Sequence, residues 1–364
     1  MLTIIFNRLT QYRFAKSSQR IKWEAGRKNW QKAAELVKTI DPGKHTWLHR
    51  HINKCAKNSS TFQQVFLKKE KVASRIALVC KGAKLLSTVP VYGGMISVGV
   101  FAHTVQEKSG GKAIIIEKTY NNKQNKLATL EILLFSEINH KKLCAPKILG
   151  SVATDNFLSV FYEYVQKNNI ATAKAKILPG FRNNFLAKTL FLLWAAEPTE
   201  NLLLNTKPLD PKRLSKTESM ISKKRIAELN DAVSSAKDKR LVEELYLNQE
   251  HYIEKFKSLP AFIMHGDLYS FSNIMIQSGG RFSIIDWDKW HISHIGGGLR
   301  IKPEAFLNAS LSNKINHFCA KNPHVKTHDV WINVAIDNLD NCLKKKDWAP
   351  ALKWVKHLSE ISKE

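Results

Sequence analysis

The sequence predicts an α+β chain of two lobes, a small antiparallel sheet lobe followed by a larger, mainly helical one, with a helical extension in front. Three observations carry this. Residues 85–164 alternate β-branched apolar runs with Gly-containing turns around one helical stretch. After residue 166 the periodicity is mostly helical. Between 261 and 288 an Asp-bearing loop leads into a short apolar hairpin that ends in a second Asp. A chain of 364 residues, 44% of them hydrophobic, suffices for two or three domains or for one two-lobed enzyme with a sizeable core.

The extension is assigned to residues 1–80. Trp30, Ala33, Ala34, Leu36 and Val37 recur at helical spacing until Asp41-Pro42-Gly43 stops the run. Further helices are expected over Trp47 to about Ala56 and Phe62 to Val72. Asn29-Trp30-Gln31-Lys32-Ala33 is echoed by Asp347-Trp348-Ala349-Pro350-Ala351, but two isolated copies fall short of a stacked solenoid. Both are expected to be packing helices.

Charge is the unusual property of this extension. The whole chain carries a formal net charge of +26, and residues 1–80 hold 17 Lys/Arg against four acids, half of that excess. Such a field attracts polyanions, whether an anionic membrane surface, nucleic acid or a phosphorylated substrate; a solvated surface without a dedicated partner is the plain alternative. A peripheral contact with anionic membrane is carried forward as a partner of this segment, and nucleic acid as a less favoured one. The first 23 residues are basic and lack acids, and they read as a partly helical arm rather than a presequence. No apolar run approaches the roughly 20 residues needed to span a bilayer. The five cysteines are scattered without CxxC spacing, which fits reduced thiols and a cytoplasmic location, at most peripheral to the inner membrane face.

Residues 81–165 form the sheet lobe. Strands are expected over Leu85–Val91, Ser97–Gln106, Ala113–Lys118, Leu149–Ala153 and Leu158–Tyr164, with a hairpin turn at Gly110-Gly111 and a helix over 125–139. Residues 166–364 form the helical lobe. Its Lys-rich stretch 205–240, with Pro208 and Pro211, reads as a mobile loop followed by an amphipathic helix running to about Lys257.

The most informative segment runs from Ala261 through His265-Gly266-Asp267 and Asn273-Ile274-Met275-Ile276 to Ile284-Ile285-Asp286-Trp287-Asp288. An Asp in a loop, an Asn opening an apolar strand, a Gly turn and a second strand ending in Asp suit metal-assisted phosphoryl transfer. That reaction needs an aligned acceptor hydroxyl and positive charge at the phosphate oxygens, and little covalent help. A loop carboxylate can orient the hydroxyl, while an Asn carbonyl and a carboxylate can hold Mg²⁺, which prefers oxygen ligands.

On these motifs the chain resembles the aminoglycoside phosphotransferase and choline kinase family, whose fold is protein-kinase-like. The resemblance implies Asp267 as catalytic carboxylate, Asn273 and Asp286 as magnesium ligands, His265 as a loop support, and ATP and Mg²⁺ as cofactors. It covers about residues 85–300. One departure is that five residues, not four, separate Asp267 from Asn273; a one-residue bulge is expected to absorb the difference. A D-L-A-like motif after the magnesium Asp is absent from the sequence.

A kinase-like fold also needs a Gly-rich turn, a strand Lys and a helix Glu. The turn is Tyr92 to Gly99, with Gly93, Gly94, Ser97 and Gly99 as nucleotide contacts. Lys118, at the end of a buried strand, is placed to reach the phosphates, with Lys112 and Lys123 as rivals. Glu131 is its helix partner, Glu137 the runner-up, and a solvent-facing Glu131 the plain alternative. Glu163, Tyr164 and Val165 fall where the family has its interlobe hinge, whose backbone would bind adenine. His291 and His294 have no further metal ligands at fitting spacing, and Gly296-Gly297-Gly298 reads as a flexible turn.

These readings converge on an ATP- and Mg²⁺-dependent phosphotransferase acting on a hydroxyl of a small molecule or sugar. The basic balance of the chain favours an anionic acceptor, such as a cell-envelope saccharide, over cationic ones. Two competitors remain: a non-catalytic pseudokinase or basic scaffold, and a protein kinase. Against the last stand HGD in place of HRD, IDWD in place of DFG and no A-P-E motif.

Overall fold

The structure, a computed structural model, describes residues 33, 35, 36, 38, 39, 69–90, 97, 99–121, 125–154, 157–165, 182–268, 273–276 and 282–362. The helices expected before residue 69 lie outside the described residues, as do Gly93, Gly94, Lys123 and Gly279-Gly280.

The described chain opens with α1 (Lys69–Val79) and a five-stranded antiparallel sheet of β1 (Lys84–Pro90), β2 (Gly99–Gln106), β3 (Lys112–Asn121), β4 (Ile148–Ala153) and β5 (Phe157–Glu163), in the order β1-β2-β3-β5-β4. Between β3 and β4 runs α2 (Asn125–Glu137). Strand positions and types are as the sequence predicts, with β3 three residues longer than expected at its end.

Strand alternation divides β3 between two faces. On one, Ile115 packs with Leu85, Val105 and Phe161 against Val72 and Ile76 of α1. On the other, Tyr120 packs with Val160 and Tyr162 against Ala128 of α2. The α1 face also buries charge. Glu117 is fully buried and accepts from Arg75 Nε (2.8 Å) and Nη2 (3.2 Å), from Ser159 Oγ (2.6 Å) and from His103 Nε2 (2.8 Å). The other ring nitrogen of His103 shares a hydrogen bond with Thr88 Oγ1 at 3.0 Å, so both ring nitrogens are engaged. Arg75 thus fastens α1 to the third strand, although it lies in the stretch assigned to the extension.

The chain divides into two compact units, and the break after the sheet falls between Tyr164 and Val165. The second unit is mainly helical: α3 (Arg182–Leu193), α4 (Glu200–Leu209), α5 (Lys223–Ala232), α6 (Ala236–Leu247), α7 (Gln249–Lys257), α8 (Ala309–Lys321), α9 (Thr327–Lys345) and α10 (Trp348–Ile361). Two small ribbons interrupt them. β6 (Ala261–Met264) pairs with β9 (His291–His294), and β7 (Ile274–Ile276) pairs with β8 (Phe282–Ile284). This is the sheet-then-helices order of the kinase-like fold.

Three expectations are corrected here. The stretch 205–240 is not a mobile loop: it holds the end of α4, two 3₁₀ turns and α5, and it buries Thr206, Arg213, Thr217, Ile226 and Leu229. Pro208 stands in the last turn of α4, where it has no N–H to offer the carbonyl four residues before it. The helix expected to run to Lys257 is three helices. These are α5, α6 and α7: Ser235 caps α6 by accepting from Asp238 N–H, and Asn248 separates α6 from α7. Nor is Gly296–Gly298 a flexible turn. Gly296 has φ +95°, and a Cβ there would stand 2.5 Å from Asn333 Cβ and 2.8 Å from Val330 O, so α9 presses on the backbone itself.

Removing one partner of a buried ion pair costs roughly 3–5 kcal/mol. Arg75→Met is therefore expected to lower stability by about 3 kcal/mol, read by urea denaturation at pH 7. Burial alone would raise the Glu117 pKa, but His103, Arg75 and Ser159 together hold it below the ordinary value of 4.5. A carboxylate with a lowered folded pKa contributes fully above the ordinary value, and its contribution is lost as pH falls through the folded one. Acidification below pH 4.5 is expected to destabilise the wild type more steeply than Glu117→Gln.

Candidate active site

Asp267 follows β6 in a loop that only glycine can open. Gly266 has φ +83°, and a Cβ there would stand 2.3 Å from the Lys289 carbonyl oxygen. That closeness brings the chain after Asp286 against the chain before Asp267. His265, fully buried, makes the tie: Nδ1 accepts from Asp267 N–H at 3.2 Å, and Nε2–H donates to Ile285 O at 2.9 Å. Its ring also meets Trp287 edge-on, with centroids 4.7 Å apart. The imidazole therefore positions two loops, as a supporting residue would.

The hairpin β7–β8 sets the other carboxylate. Ile274 pairs with Ile284, and the ladder continues through Ile285 N–H to Asn273 O at 2.8 Å, so Asn273 stands opposite the residue before Asp286. Asn273 Nδ2 donates to the Asp267 carbonyl at 3.0 Å. The loop with the extra residue, 269–272, lies outside the described residues, but its two ends are joined by this bond. Asp286 has φ 70° and ψ 55°, a left-handed conformation that a non-glycine residue holds only when its surroundings impose it.

These groups fit a magnesium ion. Asn273 has committed its amide nitrogen, which leaves its oxygen as the donor atom, and Asp286 adds a carboxylate. Among the described residues no group of three His, Cys, Asp or Glu side chains could hold a metal on its own. Magnesium is commonly held by one or two carboxylates together with substrate phosphates, so a set of two hard oxygen donors is of the right kind.

The sequence reading missed Lys289. Its Nζ lies 2.8 Å from Asp267 Oδ2, and that hydrogen bond to the carboxylate raises the ammonium pKa. Its signal was its place three residues after Asp286 in a 3₁₀ turn, Trp287–Lys289. Arg213, also missed, is buried and braces this turn, donating to Asp288 O (2.6 Å) and Trp290 O (2.5 Å). His294 Nδ1 bonds Leu259 O at 2.7 Å, and His291 packs beside Lys216.

The remaining predicted residues belong to the sheet unit, apart from Glu137 and Val165, which belong to the second. Lys118 Nζ is 3.9 Å from Glu131 Oε2 and lies 5.1 Å from the centre of the Tyr120 ring, whose hydroxyl donates to Glu131 at 2.9 Å. Glu131 is buried rather than solvent-facing, and Glu137 is engaged elsewhere, by Asn201 at 2.6 Å. Lys112 opens β3 opposite Gln106, at the far end of the strand from Lys118. Ser97 is buried, and Gly99 opens β2 opposite Thr119. Glu163 ends β5 with its carboxylate accepting from Lys147 N–H at 3.0 Å, and Tyr164 and Val165 follow at the break between the units.

No family model and no curated protein sequence matches this chain. Solved structures do. It is similar to the macrolide 2'-phosphotransferase MphH from Brachybacterium faecium over 80% of this chain and 95% of that one, with 11% identity and a TM-score of 0.44. It is similar to the ADP-bound aminoglycoside phosphotransferase APH(2'')-Ib over 76% and 92%, with 15% identity and a TM-score of 0.38. It is similar to the gentamicin complex of APH(2")-IIa over 82% and 95%, with 15% identity and a TM-score of 0.35. These scores lie below 0.5, and the kinase-like fold is read from the strand order and element sequence of the chain itself.

Proposed function

We propose that this protein is an ATP- and Mg²⁺-dependent phosphotransferase that moves the γ-phosphoryl group to a hydroxyl of a small molecule or sugar. The observation that carries the reading is the joint fixing of Asp267 and Asn273 through the 3.0 Å bond from the Asn273 amide to the Asp267 carbonyl, with His265 tying the same loop to the strand before Asp286. Asp267 orients the acceptor hydroxyl and takes its proton late. Asn273 and Asp286 would hold the metal, which neutralises phosphate charge when bound. Lys289 supplies a positive charge beside Asp267. In the sheet unit Lys118, steadied by Glu131, serves the nucleotide phosphates together with Gly93, Gly94, Ser97 and Gly99 of the Gly-rich segment. The backbone of Glu163–Val165 takes the adenine.

At long range a chain of net charge +26 attracts an anionic acceptor, for instance a cell-envelope saccharide, and scattered cysteines without CxxC spacing fit a cytoplasmic site of action. Among the described residues no helix is long and apolar enough to cross a membrane, and the four described cysteines are free thiols.

Turnover of ATP with Mg²⁺, measured against sugar, amino-alcohol and lipopolysaccharide acceptors, is expected to be acceptor-stimulated and to fall by roughly 10²–10⁴ in Asp267→Ala. Nucleotide binding without turnover on any acceptor would favour a pseudokinase, phosphate appearing on protein a protein kinase, and no nucleotide binding would sink the proposal. Lys289→Met is expected to lower kcat by about 10²-fold with a smaller change in KM for ATP. Lys118→Met is expected to act chiefly on that KM, and steady-state kinetics on both variants separates the two lysines.

A further inference from the structure

Several surface lysines of the second unit answer a carboxylate: Lys255 pairs with Asp329, Lys346 with Glu228, Lys353 with Glu304 and Lys356 with Asp238. Lys216 does not. Among the described residues its ammonium has the His291 ring as hydrogen-bond partner, 3.1 Å from Nε2 and 3.4 Å from Nδ1, and no carboxylate at salt-bridge distance.

The His291 ring is neutral. Burial first, then the Lys216 charge, push its pKa down to about 3. Its Nδ1 lies 3.3 Å from Lys289 O, which takes the ring proton and leaves Nε2 to accept from the ammonium. The position a Cβ would take on Gly266 is 3.2 Å from His291 Nδ1. Lys216 therefore stands one imidazole ring away from the backbone that carries Asp267. The residue as a whole is exposed while its ammonium is partly buried where it meets the His291 ring, so a solute can still reach it.

The other charges around Lys216 do not complete it. Those that act on it are Lys344, Asp337, Arg300 and Asp340. Asp337 already accepts from Gly298 N–H at 2.9 Å and from Arg300 at 2.7 Å. Asp340 already accepts from Ile221 N–H at 2.9 Å and pairs with Lys344. With Arg225, 3.9 Å from Asp340, four cations thus share two carboxylates that are both engaged. Burial, followed by Lys344, pulls the Lys216 pKa down, as expected of a cation short of a counter-charge. An oxyanion arriving here would form charge-assisted hydrogen bonds that the neutral ring cannot match.

We propose that Lys216, with Arg300 and Lys344 behind it, forms the subsite that takes an oxyanion of the acceptor, a phosphate or carboxylate carried on the molecule whose hydroxyl Asp267 orients. The assignment rests on the phosphotransferase reading for the word acceptor, but the oxyanion site itself does not need it. Lys216 selects among acceptors and takes no part in phosphoryl transfer.

Calorimetric titration of the full chain with glucose 6-phosphate, glucuronate and glucose, without nucleotide, tests this directly. Glucose 6-phosphate or glucuronate is expected to bind at least about tenfold more tightly than glucose. That preference should vanish in Lys216→Met, survive in Lys216→Arg and be untouched in Lys353→Met. Whichever anion shows the larger preference names the oxyanion. No preference in the wild type, or a preference that persists in Lys216→Met, overturns the proposal; the second result would place the anion on other cations such as Lys118 or Lys289. If the preference depends on Lys216 but no acceptor stimulates ATP turnover, the subsite stands and the phosphotransferase reading falls. Where turnover is found, Lys216→Met should raise KM for anionic acceptors alone. A merely structural lysine would weaken neutral and anionic acceptors alike.

Discussion

One buried imidazole holds the candidate site together. His265 accepts from the Asp267 N–H and donates to the Ile285 carbonyl, so the loop bearing one carboxylate and the strand leading to the other cannot shift independently. The tie works because Gly266 lets the Lys289 carbonyl come to where a side chain would stand. Phosphoryl transfer asks the protein for position and charge, and position is lost steeply with small displacements. The same closeness brings Lys289 onto Asp267. It also sets the His291 ring beside Gly266, so that both lysines of the site, Lys289 and Lys216, are placed by a single glycine contact.

The sheet unit solves a related problem by alternation. Glu117 and Lys118 are neighbours in sequence but face opposite sides of β3. Glu117 is sealed under α1 by Arg75, His103 and Ser159, while Lys118 meets Glu131 of α2 on the other side. A one-residue slip of β3 would exchange the two faces and leave Glu117 without its cations. The buried cluster thus specifies the register that presents Lys118, whatever it adds to net stability.

Much of this was legible in the sequence because it is local. Period-2 apolar runs, Gly turns and the spacing of Asp267, Asn273 and Asp286 are written within a few residues of one another. Glu131 was reachable because helix α2 follows directly on β3. Arg213 and Lys216 were not legible. They act on Trp290 and His291 from more than seventy residues away, and nothing in their neighbourhood distinguishes them from other basic residues in a Lys-rich stretch. The same composition misled the reading of 205–240, where apolar positions such as Ile226 and Leu229 anchor short helices among many polar residues. Gly296–Gly298 misled for another reason: glycine signals both freedom and close approach, and only the tertiary contact with Asn333 decides between them.

Net charge is a poor guide to the charge at a site, and the second unit illustrates why. Several of its basic residues are answered locally, and α9 carries Asp337 and Asp340 into the interior, where backbone N–H groups and cations meet them. What matters for recognition is the residue left over after this pairing. An exposed lysine held by a neutral histidine keeps its charge available to solutes, whereas one held by a carboxylate has spent it. The His291 ring suits that task because burial holds it neutral through the physiological range, and its proton is engaged with the Lys289 carbonyl. A carboxylate in its place would cancel the Lys216 charge, and an aliphatic side chain would leave the ammonium without an acceptor. The neutral ring keeps the ammonium in place and leaves its charge uncompensated, which is the property an oxyanion subsite needs.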